Sequence, residues 1–237
     1  MINILLNLSN FDEPWAYETM EEYLHPDSRV AILPLSYNEG WLSDHEDWYD
    51  MYGREGRYYD EILRPFRAFG IKDENVSWVN YFEDEQVDAL RKVNHADVLF
   101  LTGGVTDWVL QRLEDLGIRE AVCNFSGVIM GISAGAMIQL EEFHLTPDET
   151  RTFDWQHGLG LVEGFDIDVH YEQTEDHLAA IIRSLEDKGD PVVCSPNKGG
   201  IVIDHGEYRL LGDAFVLTPE DLDEVYNAYE ESRSTGW

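Results

Sequence analysis

Residues 127–137 read Gly-Val-Ile-Met-Gly-Ile-Ser-Ala-Gly-Ala-Met. The run 127–131 is apolar without a break, the pattern of a strand covered on both faces. The residues that follow are small, as a tight turn opening into a helix requires. Gly131-Ile132-Ser133-Ala134-Gly135 therefore has the G-x-S-x-G form of a nucleophile elbow. Such a turn lifts the Ser133 hydroxyl clear of the sheet, at a helix N-terminus. There the unpaired N–H groups and the helix dipole favour developing negative charge. The plainer reading is an ordinary strand-to-helix turn with Ser133 as its N-cap.

Working outward, residues 97–101 (DVLFL) form a second buried run that ends on Thr102-Gly103-Gly104. In an open parallel sheet, sites form outside the carboxyl ends of the strands, so both loops line one crevice. The backbone amides of Gly104 and Ala134 are then candidate paired donors to an oxyanion. A serine nucleophile needs a base. Residues 165–170 (FDIDVH) alternate as a strand and place His170 at its carboxyl end. Of the other histidines, His157 falls in a Gly-rich loop, His177 on the next helix and His205 in a hairpin turn.

The rest of the chain supplies the frame. Apolar runs at 2–8, 29–34, 76–81 and 191–194 read as strands, and 12–23, 84–94, 105–116 and 175–188 as helices. Residues 200–203 and 208–211 read as a hairpin around 204–207, and a strand at 215–217 precedes an acidic helix at 219–232. Alternation of strands and helices predicts one α/β domain over 1–237. It has three layers, a mostly parallel central sheet with helices on both faces and a late antiparallel hairpin. Segment 41–69 is dense in Trp, Tyr and Phe and reads as one long helix, or two broken near Gly53 and Gly56. Core packing is the first reading of its aromatics; a ligand surface or a homodimer surface is the other.

Composition narrows the partners. The chain has 237 residues with 48 Asp+Glu against 16 Lys+Arg, a net charge of −32. Such a surface repels phosphate backbones and anionic membranes, so neither nucleic acid nor membrane is an expected partner. The first residues carry no basic segment, no apolar run approaches membrane-spanning length, and two cysteines make no disulfide framework. A cytoplasmic location is the expectation. Asp166, Asp168 and His170 share one strand face and form the best candidate for a cation site. No metal-binding motif accompanies them, and no cofactor is expected.

Thr102-Gly103-Gly104 after an apolar strand, then Gly-Ile-Ser-Ala-Gly-Ala-Met, then Asp168-Val169-His170 at a strand end, resemble the peptidase E and cyanophycinase family of serine peptidases. The likeness spans roughly residues 95–217. It implies a class I glutamine amidotransferase-like fold with Ser133 as nucleophile and His170 as general base. It further implies that Gly103 and Gly104 border the substrate and that the Gly104 and Ala134 amides hold the oxyanion. The implied activity is metal-independent acyl transfer from a small peptide or amide. Some members cleave dipeptides with an N-terminal aspartate; others cleave the aspartyl–arginine polymer cyanophycin.

The chain departs from the family pattern in three places. Val105 stands where an asparagine is usual. The turn Ser195-Pro196-Asn197-Lys198-Gly199 carries Asn197 where a carboxylate is usual, so the third member is Asn197 or else Glu141 or Glu142. The stretch after His170, Tyr171-Glu172-Gln173-Thr174-Glu175-Asp176, is acidic where cyanophycin-cleaving relatives carry arginines. These departures keep a second function open, a non-catalytic ligand-binding module on the same fold.

Overall fold

The computed structural model describes residues 1–148 and 150–235. Its elements run β1 (Ile2–Leu6), α1 (Tyr17–Met20), β2 (Val30–Leu33), α2 (His45–Tyr52), α3 (Tyr59–Ala68), β3 (Val76–Trp78) and α4 (Gln86–His95). There follow β4 (Val98–Leu101), α5 (Val109–Asp115), α6 (Arg119–Cys123), β5 (Val128–Ile132), α7 (Ala134–Met137), β6 (Glu142–Leu145) and β7 (Asp154–His157). The chain closes through β8 (Asp166–Val169), α8 (Glu175–Lys188), β9 (Val192–Ser195), β10 (Gly199–Asp204), β11 (Glu207–Gly212), β12 (Phe215–Leu217) and α9 (Leu222–Thr235).

The central sheet has the order β11-β10-β1-β5-β4-β2-β3. The strands from β1 to β3 in that order pair in parallel, and β10 and β11 add an antiparallel edge. The period of two along each strand sorts the core into two layers. Leu5, Leu33, Leu99 and Ile129 face Val93, Leu113 and Ala136, whereas Ile4, Ile32, Phe100 and Met130 face Met20, Trp48 and Phe66. The result is the three-layer α/β architecture that the strand–helix alternation predicts. Among the described residues no helix is long and apolar enough to cross a membrane.

Several boundaries differ from the sequence reading. Residues 12–23 are helical only over Tyr17–Met20, because the flanking residues close as tight turns such as Ala16 N–H to Glu13 O. The helix expected from residue 105 begins at Val109; the Val105 amide instead donates to Ser36 O at 2.7 Å. The aromatic segment is two helices. A Cβ on Gly53 would lie 2.6 Å from Tyr49 O, so the chain turns there on a residue without one. Trp48, Tyr52, Ile62 and Phe66 from this segment are buried in the core. Strands β8 and β9 do not join the main sheet; they pair in parallel in a separate three-stranded sheet with β12, packed on α8 and α9. The hairpin of β6 and β7 and the short helix α6 had no clear periodic signal in the sequence.

Candidate active site

Ser133 follows the last residue of β5, and its backbone is strained at φ 50°, ψ −117°, a region that side-chain-bearing residues rarely adopt. The glycines on either side permit this turn. A Cβ on Gly131 would lie 1.9 Å from Gly135 O, and one on Gly135 would lie 2.2 Å from Leu101 O. The elbow is pinned by Ser133 N–H to Leu6 O at 3.0 Å, and Ser133 O starts α7 by accepting from Ala136 and Met137. The hydroxyl therefore stands over the carboxyl ends of β1, β4 and β5.

His170 terminates β8 and also has a positive φ, 57°. Its Nε2 lies 2.8 Å from Ser133 Oγ, so the separate small sheet delivers the imidazole to the main-sheet elbow. The ring is open to the cleft, yet the protein packed around it lowers its pKa, because burial disfavours the charged form. The Asn197 side chain and the Asp168 carboxylate oppose that shift, and His177 adds to it.

Asn7, fully buried just beyond β1, was not singled out by the sequence reading. Its Oδ1 accepts from the His170 backbone N–H at 2.9 Å, and its Nδ2 donates to Asn197 Oδ1 at 3.1 Å. The available signal was a buried amide at the carboxyl end of an apolar strand. Glu141 and Glu142, the other candidates for the third member, instead line a different recess with Trp155, His157 and Lys188.

Gly104 lies opposite the elbow with φ 138°, and a Cβ there would sit 1.8 Å from Ser36 O. Gly103 lies against the elbow, since a Cβ on it would lie 3.3 Å from Ser133 Cβ. The Gly104 and Ala134 amides take no acceptor among the described residues. Both loops thus border the Ser133 hydroxyl, as the carboxyl-end argument requires.

The residue model of peptidase family S51 matches residues 51–211. The chain belongs to this family. Family S51 membership assigns it to the peptidases, and the match begins upstream of the stretch whose motifs carry the resemblance. A solved structure assigned to peptidase E from Listeria monocytogenes EGD-e is similar at TM-score 0.64 and 17% identity, covering 88% of this chain and 96% of that one. A peptidase from an acI-B1 Actinobacterium is similar at TM-score 0.57 and 13% identity, covering 92% of this chain and 91% of that one. At such identities the likeness speaks for the fold. No curated protein matches the sequence.

Within this S51 chain, Asp166, Asp168 and His170 do not act as one cluster. Asp166 is buried against His144, with Oδ2 2.5 Å from His144 Nδ1 and 2.6 Å from Ser184 Oγ. Burial alone would raise Asp166; the His144 charge and these hydrogen bonds outweigh it and hold the carboxyl low. Likewise burial would lower His144, but Asp166 and Asp168 keep its pKa above the usual value. Asp168 accepts from Thr146 Oγ1 at 2.8 Å and lies 2.8 Å from His177 Nδ1. Among the described residues no group of three or more His, Cys, Asp or Glu side chains is disposed to hold a metal.

Proposed function

We propose that the protein is a serine-type peptidase or amide hydrolase acting on a small peptide, with Ser133 as nucleophile and His170 as general base. The observation that carries this reading is the 2.8 Å separation between Ser133 Oγ and His170 Nε2 at a strained elbow. A nucleophile within hydrogen-bond reach of a base is the required geometry.

Ser133 Oγ attacks the scissile carbonyl carbon while His170 Nε2 takes its proton. The tetrahedral oxyanion is held by the Gly104 and Ala134 amides, which have no competing acceptor among the described residues. His170 then gives the proton to the leaving amine as the C–N bond breaks, and water attacks the acyl-enzyme by the reverse path. Asn197 orients the imidazole in place of a carboxylate. A neutral amide stabilises the imidazolium less than a carboxylate does, and burial already lowers the His170 pKa. The free base is thereby favoured at neutral pH.

The test is turnover of a dipeptide panel. Ser133→Ala is expected to abolish hydrolysis with the fold intact by circular dichroism, and His170→Ala to lose roughly 10³-fold or more. Retained turnover in folded Ser133→Ala contradicts the assignment. Absence of turnover in the wild-type chain favours the non-catalytic module.

A further inference from the structure

Two recesses meet at the Gly104 turn. The larger, about 720 Å³, holds His170 and mixes polar side chains such as Thr146, Arg151 and His177 with apolar ones such as Val105, Met137 and Ile167. The smaller, about 250 Å³, lies on the other side and is walled by Tyr37, Trp41, Met51, Tyr52, Tyr58 and Ile62. It is also lined by Gly103, Gly104 and Ile132, of which Gly103 lies against Ser133 and Ile132 immediately precedes it. Trp41 and Gly104 belong to both recesses. A peptide laid across the Ser133 hydroxyl would therefore drop one flanking side chain into the aromatic recess and leave the other in the wider cleft that holds His170.

We infer that the aromatic recess is a substrate-side-chain subsite that selects an aromatic residue next to the scissile bond. The inference rests on the peptidase reading above and adds its substrate class. Size fits, because an apolar cavity of about 150 Å³ already accepts a benzene ring. Charge also discriminates. The one ionisable acid or base among the lining residues, tyrosines aside, is Glu61, which repels an aspartyl or glutamyl side chain. The nearby cations are engaged and outside the lining: Arg64 is bound to Asp12 and to the O of the lining residue Ser9, Arg57 lies over the Tyr58 ring at 5.2 Å, and Arg112 is stacked on Tyr37 at 3.5 Å while donating to Leu35 O and Tyr37 O.

A second observation points to a ligand. The Tyr37 and Thr102 hydroxyls belong to buried lining residues, and both lack a hydrogen-bond partner among the described residues. Buried polar groups are almost always paired, so two unpaired hydroxyls on residues of one wall set it apart from ordinary core. Tyr52, in the same wall, has its pKa raised to about 12 by burial, so it faces a ligand as a neutral phenol. An apolar surround with a few hydroxyls is the usual make-up of a small-molecule recess.

The experiment separates this inference from the reaction. Affinities of Ser133→Ala for two dipeptide series, Xaa-Ala and Ala-Xaa with Xaa as Phe, Tyr, Asp or Ala, are measured by titration calorimetry. Hydrolysis of the same peptides is measured with the wild-type chain. In one series Phe and Tyr are expected to bind about tenfold or more tightly than Asp or Ala. Met51→Trp and, separately, Ser9→Phe are made in the same background to fill the recess, with folding checked by thermal melting. Ser9 and Met51 both line the recess, and each substitution is expected to abolish that preference. Equal affinities, tighter binding of Asp, or a preference that survives filling in both folded variants overturns the subsite. Binding as expected with no wild-type hydrolysis leaves the subsite and removes the peptidase reading; hydrolysis without the aromatic preference does the reverse.

Discussion

Asn7 Oδ1 lies 2.9 Å from the backbone nitrogen of His170, while the Asn7 amide nitrogen reaches Asn197 Oδ1 at 3.1 Å. One buried side chain of the main sheet thus ties down two residues of the smaller sheet's loops. A histidine held at φ 57° needs such support, since a left-handed backbone costs of order 1–3 kcal/mol for a residue other than glycine.

Asn7→Leu removes both bonds while keeping a similar volume. It is expected to lower kcat by about ten- to a hundredfold, because catalytic misplacement of about 1 Å costs on that scale. KM should change far less. Steady-state kinetics beside a thermal melt check this; equal losses in kcat and in folded fraction would reduce Asn7 to a purely structural part.

The pH profile follows from His170. Only the neutral imidazole accepts the Ser133 proton, and burial lowers its pKa from the usual 6.5. Accordingly kcat/KM should rise with pH through a midpoint below about 6.5 and stay level above it. Asn197→Asp adds a carboxylate beside the ring and should move that midpoint upward. A midpoint that is unchanged in Asn197→Asp removes Asn197 from contact with the base.

The buried Asp166–His144 pair governs stability against pH. The Asp166 pKa is depressed, so its contribution is present above the unfolded value of about 3.8 and is lost as pH falls through the folded one. The His144 pKa is raised, so its contribution is full below about 6.5 and is lost as pH rises through the folded value. The pair therefore stabilises most between those limits. Asp166→Asn leaves the buried imidazole with only the more distant Asp168 charge, 3.9 Å away, and is expected to cost about 3 kcal/mol there. Urea midpoints from about pH 4 to about pH 8 read the change.

Gly135→Ala tests the elbow itself. The new methyl would meet Leu101 O at 2.2 Å and Thr102 O at 2.8 Å, and backbone cannot swing away as a side chain can. The variant should lose about 1–3 kcal/mol by denaturant unfolding. It should lose activity more than in proportion, since the same shift moves Ser133 against the Gly103–Gly104 loop.

The net charge of −32 implies self-repulsion of the folded chain. Thermal midpoints should rise as sodium chloride is added, because screening shortens the reach of that repulsion to about 10 Å at 0.1 M. A midpoint indifferent to salt would mean that the acidic surface is already compensated by its ion pairs.

The central sheet was legible in the sequence because β2, β4 and β5 are unbroken apolar runs and β1 is interrupted only by Asn3, and a strand buried on both faces leaves that mark. Ser133, Gly103, Gly104 and His170 were also legible, since each sits at a strand's carboxyl end. The approach of the Gly103–Gly104 loop to the elbow followed from the same rule, whereas that of His170 was implied only by the family resemblance, because His170 rides on a second sheet whose docking depends on long-range packing. Asn7 was hidden for a related reason. Its role comes from partners at 170 and 197, and no local pattern marks a residue whose function is long-range. The β6–β7 hairpin was missed because His144 and Trp155 face each other in short strands with polar and apolar residues mixed. The aromatic segment gave its helices but not the recess, which forms only when Trp41, Tyr52 and Tyr58 meet the Gly104 turn.

The central claim is that Ser133 is a nucleophile activated by His170. The most direct measurement is intact-mass and peptide mass spectrometry after treatment with a small fluorophosphonate. The account predicts a single adduct on Ser133 that is absent from Ser133→Ala and forms far more slowly in His170→Ala. A folded wild-type chain that stays unlabelled, or that is labelled elsewhere, would contradict it.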